Sequence, residues 1–279
     1  MSFFRPIVVT VASLAMAGAA WLGSRRPAND RAWSPDHAML AHGYFDSSRV
    51  RLAGVRNFRY DSNGTVHPAF EERTYDLDRL ESVWFVLVPF STRWRAPAHS
   101  FVSFGFSDSQ FVGISVEARR ESDERYGVLA GLFRQYELMY VVAEERDLFL
   151  RRVRKDSNDV YVYPVNASRE KARELFVAMV RRANALAARP EFYNTLTNSC
   201  TSNLVAHVNE IAPGRIPAGW RTLLPGYADE VALELGLIQG ATSIDDARRR
   251  FRVNDRALRY ADDPAFSFRI RSEEPASAR

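Results

Sequence analysis

Two neighbouring stretches of the chain alternate between apolar and polar positions with a period of two, which is typical of half-buried β-strands. They are HSFVSFGF, which begins at His99, and QFVGISVEAR, which ends at Arg119. A short turn at residues 107–109 separates them, so they are predicted to pair as antiparallel strands. One face of the pair is apolar and is expected to face the core; it carries Val102, Phe104, Phe106, Val112, Ile114, Val116 and Ala118.

Further strands are predicted on both sides of this pair, within a strand-rich block that extends from residue 99 to residue 142. Runs rich in β-branched and aromatic residues precede it at residues 50–60, 72–77 and 82–88, with a turn at 61–64. A hairpin is expected after the block. Its strands are predicted near residues 148–153 and 160–165, joined by a turn at 156–159.

Apolar positions with helical spacing dominate the remainder of the chain. Ser168 is a predicted N-cap, and Glu170 near the start with Arg181 and Arg182 near the end fit a helix that stops before Pro190. Helices are predicted over residues 168–188, 199–211, 229–237 and 245–260. Because strands cluster in the middle and helices follow them, the fold class is α+β, with a mostly antiparallel sheet packed against helices.

The N-terminus carries an apolar, uncharged run of 17 residues, from 7 to 23, between Arg5 and Arg25. That length is at the low end for a membrane-spanning helix and is long for the apolar part of a signal peptide. The run is interpreted as an uncleaved signal anchor, with a cleaved signal peptide or a buried helix as alternatives. The predicted domains are the membrane segment 1–23, a linker 24–44, a catalytic domain 45–240 and a helical C-terminal extension and tail 241–279.

Composition excludes several classes of protein. The chain is 46% hydrophobic and 26% charged, as in an ordinary globular protein. Its formal net charge is only +4 and its acidic and basic residues are interleaved, so nucleic-acid binding is not predicted. A single cysteine excludes an intramolecular disulfide and a multi-cysteine zinc site. The sequence has no HExxH, P-loop, GxSxG or dinucleotide-binding pattern, so no metal or organic cofactor is predicted.

The single cysteine, Cys200, lies in the polar run NTLTNSCTSNL, where a helix is predicted to begin. Thr197 or Asn198 can cap that helix. A thiol in the first helical turn feels the partial positive charge of the helix N-terminus, which lowers the thiol pKa, and a protonated histidine lowers it further. The alternative is that Cys200 is a small buried hydrophobic residue without chemistry.

A nucleophilic cysteine needs a base, and the chain has five histidines. His207 is on the same helix as Cys200 but lies roughly 10 Å away along the axis, at about 1.5 Å rise per residue. His37 and His42 lie near the linker and His67 in a predicted loop, which leaves His99 as the candidate.

The predicted strand pair places His99 next to a carboxylate. In an antiparallel pair, the numbers of opposed residues add up to a constant. Because opposed residues share a face and the apolar positions of both strands are even-numbered, this sum must be even. With a sum of 216 His99 lies directly opposite Glu117, and with a sum of 218 the two are diagonal neighbours. Opposed Cβ atoms lie about 4.5–5.5 Å apart, so the side chains can meet in either register. A carboxylate beside imidazole orients the ring and stabilises its charged form. The alternative is a solvated strand face with an incidental His–Glu pair.

Cysteine at a helix start, histidine on a strand and an acidic partner on the next strand form a papain-type arrangement. The order here, histidine before cysteine, is the reverse of papain's and is expected of a circularly permuted papain-like fold. Three further residues are candidates for substrate binding. Asn203 lies one turn from Cys200, Ser103 shares the face of His99, and Arg119 could meet a lipid phosphate, although its charge run also fits a solvated turn.

Six ordered segments resemble the periplasmic domain of the Lnb family of bacterial lipoprotein N-acyltransferases. They are VRNFRY (55–60), AHSFVSFGF (98–106), SVEARRE (115–121), GLFRQYELMYVVAEERDL (131–148), VYVYP (160–164) and FYNTLTNSCTSNL (192–204). The resemblance implies a permuted papain-like, NlpC-like fold and transfer of a fatty acyl chain to the α-amino group of a lipid-modified N-terminal cysteine. By motif it implies Cys200 as nucleophile, His99 as base and Glu117 as orienting partner.

The resulting hypothesis is an exported, membrane-tethered cysteine acyltransferase at the inner membrane, with its catalytic domain facing the periplasm. Its expected partners are membrane phospholipid and a lipoprotein N-terminus. Relatives often carry several membrane spans, whereas at most one is predicted here. The alternatives are a cell-wall peptidase or amidase, or a lipid hydrolase, with the same Cys–His site, and a non-catalytic periplasmic binding domain.

Overall fold

A computed structural model describes residues 4–61, 63, 65–91, 93 and 97–272. Its strands are β1 His42–Asp46, β2 Arg49–Arg56, β3 Arg59–Tyr60, β4 Val66–His67, β5 Phe70–Asp76, β6 Leu80–Pro89, β7 Ala98–Phe106, β8 Phe111–Arg119, β9 Glu137–Ala143 and β10 Tyr161–Pro164. Its α-helices are α1 Phe4–Ser24, α2 Glu145–Leu150, α3 Arg169–Ala188, α4 Cys200–Ile211, α5 Trp220–Leu223, α6 Ala228–Glu234, α7 Ile244–Phe251, α8 Asn254–Arg259 and α9 Phe266–Arg269.

The strands form one sheet of eight, in the order β1-β2-β9-β8-β7-β6-β10, with β5 also paired to β2. The pairings are antiparallel except for a single parallel bridge between Arg56 of β2 and Ala143 of β9. Strands β3 and β4 form a separate two-stranded ribbon. The predicted α+β class with a mostly antiparallel sheet is confirmed.

Both faces of the central strands are covered. On the predicted core face, Phe104 is fully buried and its ring packs edge-on against Phe176 of α3, with centroids 5.0 Å apart. On the opposite face, Phe101 packs against Phe149, with centroids 5.9 Å apart, and Phe149 contacts Phe266 of α9. The alternative of a solvated strand face around His99 is therefore wrong, because helical segments bury that face as well.

The predicted hairpin after the strand block is wrong. Residues 145–150 form α2, residues 151–155 continue as a π-helical turn, and β10 pairs with β6 instead. The helix is held by Asp147, whose carboxylate is fully buried and accepts hydrogen bonds from Arg56 Nε at 2.9 Å, Tyr60 Oη at 3.0 Å and the Phe58 backbone N–H at 2.9 Å. These partners lie about 90 positions away, so the local apolar pattern could not distinguish strand from helix.

The predicted helices are present with altered ends. Ser168 caps α3 by accepting a hydrogen bond from the Lys171 backbone N–H, as predicted. The helix predicted at residues 245–260 divides into α7 and α8, because Arg252 between them forms a bridge with Tyr161 at the start of β10. The predicted turn at 61–64 lies partly outside the described residues, and the tail at 273–279 lies entirely outside them.

The segments predicted as linker and extension pack onto the domain. Between α1 and β1, Trp33 stacks under the Arg119 guanidinium at 3.9 Å and His37 is buried. At the other end, Ala257 and Phe266 join the core on the His99 face. The domain fold is thus completed by residues from both segments.

Helix α1 covers the apolar N-terminal run, and most of its described side chains, among them Leu14 and Trp21, are exposed. The alternative of a buried helix therefore does not hold for those side chains. Within the part of the chain that the structure describes, no helix combines the length and apolar character needed to cross a bilayer. The signal anchor stays a prediction.

Candidate active site

The N-terminus of α4 is built by side-chain hydrogen bonds that place Cys200 at its first position. Asn194 Oδ1 accepts the backbone N–H groups of Leu196 and Thr197, both at 3.0 Å, which shapes the turn before the helix. Ser199, rather than the predicted Thr197 or Asn198, is the N-cap and forms a reciprocal capping box with Ser202. Several adjacent residues could cap this helix, and the turn geometry selects Ser199.

The capping box has a consequence for the backbone around the thiol. It satisfies the N–H groups of Ser199 and Ser202. In a helix the first N–H groups have no intrahelical partner, so those of Cys200 and Thr201 remain as donors at the helix end. They add to the partial positive charge there.

Strands β7 and β8 bring His99 and Glu117 together. The observed register pairs Phe101 with Ser115, a sum of 216, so His99 and Glu117 are opposed. His99 Nε2 lies 3.1 Å from Glu117 Oε1 and 2.7 Å from Ser115 Oγ, which in turn donates to Glu117 Oε1 at 2.8 Å. Because Nε2 is engaged by these partners, the second ring nitrogen, Nδ1, is left for the thiol.

The thiol and the imidazole shift each other's acidity. Burial raises the pKa of Cys200, but a hydrogen bond from His99 and its positive charge outweigh burial, with further hydrogen bonds from the Ser100 backbone and Thr201. The pKa of Cys200 falls from an ordinary 9.0 to about 7. Burial lowers the pKa of His99, but the charge of Glu117 and the hydrogen bond with Cys200 raise it to about 9. A thiolate–imidazolium pair is therefore favoured between about pH 7 and pH 9.

Glu117 is held in its charged form by a second cation. Burial raises its pKa, yet the charges of His99 and Arg152 hold the pKa well below its ordinary value. Arg152 Nη2 donates to Glu117 Oε1 at 3.1 Å, and its Nη1 donates to Asp156 Oδ2 at 3.1 Å. Arg152 lies on the π-helical turn after α2, where the sequence pattern predicts a strand and gives no sign of this contact.

A cavity of about 210 Å³ opens onto these groups. The Cys200 residue is only 6% exposed, so the thiol is reached through this cavity rather than from open solvent. The lining side chains include Ala98, His99, Glu117, Arg120, Tyr126, Arg151, Arg152, Asp156, Tyr193 and Cys200. The cavity is polar and can admit a carbonyl group to the thiol.

The three predicted substrate-binding residues have other partners. Asn203 is buried; its amide donates to Asn198 Oδ1 and the Ser199 carbonyl, each at 2.9 Å, so it braces the start of α4. Arg119 donates to the carbonyl oxygens of His37 and Ala38, at 3.0 and 3.3 Å, rather than facing the cavity.

Ser103, the third of them, is also committed. It is fully buried on β7, and its hydroxyl forms a short hydrogen bond with Glu145 of α2. The structure gives these residues structural contacts, because burial demands a partner for each polar group.

Two of the other histidines, His207 and His67, have partners outside the site. His207 is buried near the middle of α4, where its Nε2 lies 2.8 Å from Tyr140 Oη, in agreement with the exclusion by distance. His67 is exposed and pairs with Asp61 at 2.9 Å. Among the described residues, no group of three or more histidine, cysteine, aspartate or glutamate side chains is arranged to hold a metal ion.

Fold and site together define an α+β domain in which a buried cysteine at a helix N-terminus meets a histidine–glutamate pair on neighbouring strands. The family model of the Lnb N-terminal periplasmic domain matches residues 67–226, more than half of the 279-residue chain, and includes all three site residues. The chain belongs to this family of periplasmic domains, which confirms the resemblance. No curated protein and no solved structure matches the chain.

Proposed function

We propose that this domain is a thiol-dependent acyltransferase with a circularly permuted papain-like fold. The observation that carries the proposal is the mutual placement of Cys200, His99 and Glu117, with the pKa of the thiol lowered to about 7 and that of the imidazole raised to about 9. Such opposed shifts favour a nucleophilic thiolate beside a proton donor at neutral pH. A cysteine that served only packing would gain nothing from a charged histidine in a buried position.

In the first half-reaction, the Cys200 thiolate attacks the ester carbonyl carbon of a phospholipid. The carbonyl electron pair moves to oxygen, and the N–H groups at the start of α4 stabilise that oxyanion. Collapse of the tetrahedral intermediate breaks the ester C–O bond. The departing lysophospholipid oxygen takes the proton from the His99 imidazolium, which leaves an acyl-thioester on Cys200 and a neutral imidazole.

In the second half-reaction, the free α-amino group of a lipoprotein N-terminus attacks the thioester carbonyl. His99 takes a proton from the attacking nitrogen, and the C–S bond breaks to give the amide and restore the thiolate. Glu117 orients the ring and stabilises its protonated form in both halves. Arg152 keeps that carboxylate ionised.

The proposed location is the periplasmic face of the inner membrane, with the chain tethered by its N-terminal segment. Exposed apolar side chains on α1, including Val9, Leu14 and Met16, support this placement. A tether confines the domain to the surface where both phospholipid and lipoproteins lie, which raises the effective concentration of the two substrates.

The test uses the full chain with phosphatidylethanolamine vesicles and a synthetic lipopeptide that has a free α-amine. Mass spectrometry should detect the N-acylated lipopeptide with the wild-type protein and none with Cys200→Ala or His99→Ala. His67→Ala, which removes an exposed histidine, should retain full activity. Release of fatty acid without amide product would replace the transferase by a lipid hydrolase, and release of peptides from peptidoglycan fragments alone would replace it by a peptidase.

A further inference from the structure

A second cavity, of about 250 Å³, lies on the other side of the Cys200 helix. It is enclosed by α3, α4, α6 and the strands β6 and β7. Its walls are mainly apolar and include Phe85, Val102, Leu175, Val205, Val208 and Ile238. Large cavities with mainly apolar walls and few polar groups are typical of binding sites for apolar ligands.

This apolar cavity shares a wall with the polar cavity at the thiol. On β7, consecutive side chains point to opposite faces; His99 lines the polar cavity and Ser100 lines the apolar one. At the start of α4, Cys200 lines the first and Thr201 the second. The Ser100 and Thr201 hydroxyl oxygens lie 3.4 Å apart, so these two small side chains form part of the wall between the two spaces.

We propose that the apolar cavity holds the fatty acyl chain of the lipid donor while its carbonyl is at Cys200. This inference rests on the proposed acyltransferase function and names the part of the substrate that the cavity binds. A chain attached at Sγ would enter this cavity past the Ser100–Thr201 pair. The walls then bury methylene groups and leave the headgroup in the polar cavity.

The far side of the cavity supports a lipid as occupant. Thr222 lines the cavity from α5, and the same short helix exposes Trp220 and Leu223, with 62% and 44% of their surface accessible. Exposed tryptophan and leucine side chains suit the boundary between water and lipid. Together, the two cavities therefore have a polar end at the thiol and an apolar end that lipid can approach.

The size of the cavity sets the length of chain that is recognised. Burial of each methylene favours binding about fourfold. Affinity and acylation rate should therefore rise steeply with chain length while the added methylenes are buried in the cavity, and level off once the chain emerges past α5.

Binding is tested first, without chemistry, in a Cys200→Ala background. The probe is cis-parinaric acid, a fluorescent C18 fatty acid. Val208→Trp fills the cavity and should weaken probe binding at least tenfold. Ala206→Trp, an exposed position two residues away on the same helix, is the matched control and should bind as the parent does. Equal binding by both variants would overturn the proposal.

Chain-length selectivity is tested in the Cys200 protein with p-nitrophenyl esters of four to twelve carbons. Wild type and Ala206→Trp should show the steep rise with length, whereas Val208→Trp should lose the dependence on length. A circular dichroism spectrum and a thermal unfolding midpoint that match those of Ala206→Trp show that the variant folds. If Val208→Trp is unfolded, Val231→Trp, which fills the cavity from α6, takes its place.

Failure of the acyltransferase function and failure of the cavity assignment give different results. If no ester acylates wild-type Cys200 while parinaric acid binding still responds to Val208→Trp, the acyltransferase function fails and the cavity remains a lipid site. If esters acylate Cys200 with a length dependence that both cavity-filling variants leave intact, the function stands and the assignment of this cavity is wrong.

Discussion

Replacement of His99 by alanine should change the acidity of Cys200 more than any other single substitution in the domain. The ring supplies both the hydrogen bond and the positive charge that lower the thiol pKa to about 7, against burial, which raises it. Without the ring, burial is opposed only by the Ser100 backbone, Thr201 and the helix end. The pKa should then return to 9.0, its ordinary value, or above.

The size of the effect follows from the two pKa values. At pH 7 the thiolate fraction falls from about one half to about 1%, a loss of roughly 50-fold. A more basic thiolate is intrinsically more nucleophilic, by about eightfold for two pKa units at a Brønsted slope of about 0.45. The alkylation rate of Cys200 in His99→Ala should therefore drop about sixfold at pH 7, and above about pH 8 the order should reverse.

The assay is the rate of iodoacetamide alkylation of Cys200 between pH 5.5 and pH 10.5, followed by intact-protein mass spectrometry. Iodoacetamide is small enough to enter the cavity beside the thiol. The wild-type midpoint is expected near pH 7. His67→Ala is the matched control and should keep that midpoint. A wild-type alkylation midpoint near pH 9 would refute the inferred influence of His99 on the thiol pKa. A midpoint that is the same in wild type and His99→Ala would refute it as well.

Three further substitutions test other contacts. Glu117→Gln removes the largest favourable influence on the imidazolium, so the pKa of His99 should fall below its present value of about 9, as an NMR titration of the ring would show. Asp147→Ala leaves the Arg56 guanidinium buried without its carboxylate and should lower the free energy of unfolding by about 3–5 kcal/mol in urea titrations. Ser199→Ala removes the cap of α4 and should cost about 1 kcal/mol in the same experiment.

Controls for these substitutions are available on the surface. Arg51 pairs with Glu72 at 2.9 Å, but both side chains are about half exposed, so Arg51→Ala should change stability by less than about 1 kcal/mol. If Arg51→Ala lowered the free energy of unfolding as much as Asp147→Ala does, burial would not explain the difference in strength between the two ion pairs. A His99 titration in Glu117→Gln that matches wild type would contradict the assigned charge pair.

Much of the site could be predicted because its elements are periodic. The alternation in β7 and β8 identified the shared face and the even register, and so the contact of His99 with Glu117. The helical spacing after Cys200, in a run of capping residues, located the start of α4. These patterns are local, so a single sequence carries them.

The remaining features depend on contacts between distant residues. Arg152 reaches Glu117 because α2 and the π-helical turn that follows it pack against the sheet. The position of α2 depends in turn on the buried ion pair of Asp147 with Arg56, which is 91 positions away in the chain. No local pattern encodes such a pair. The same holds for Arg119, whose partners come from the segment before β1.

Cys200 is proposed to carry the acyl group between donor and acceptor, and trapping of that intermediate is the decisive experiment. The full chain is incubated with phospholipid vesicles without an amine acceptor, quenched in acid and measured by intact and peptide mass spectrometry. One acyl chain is expected on Cys200, where neutral hydroxylamine removes it, and none is expected in Cys200→Ala. An unmodified wild-type protein, or an adduct that persists at another residue in Cys200→Ala, would contradict it.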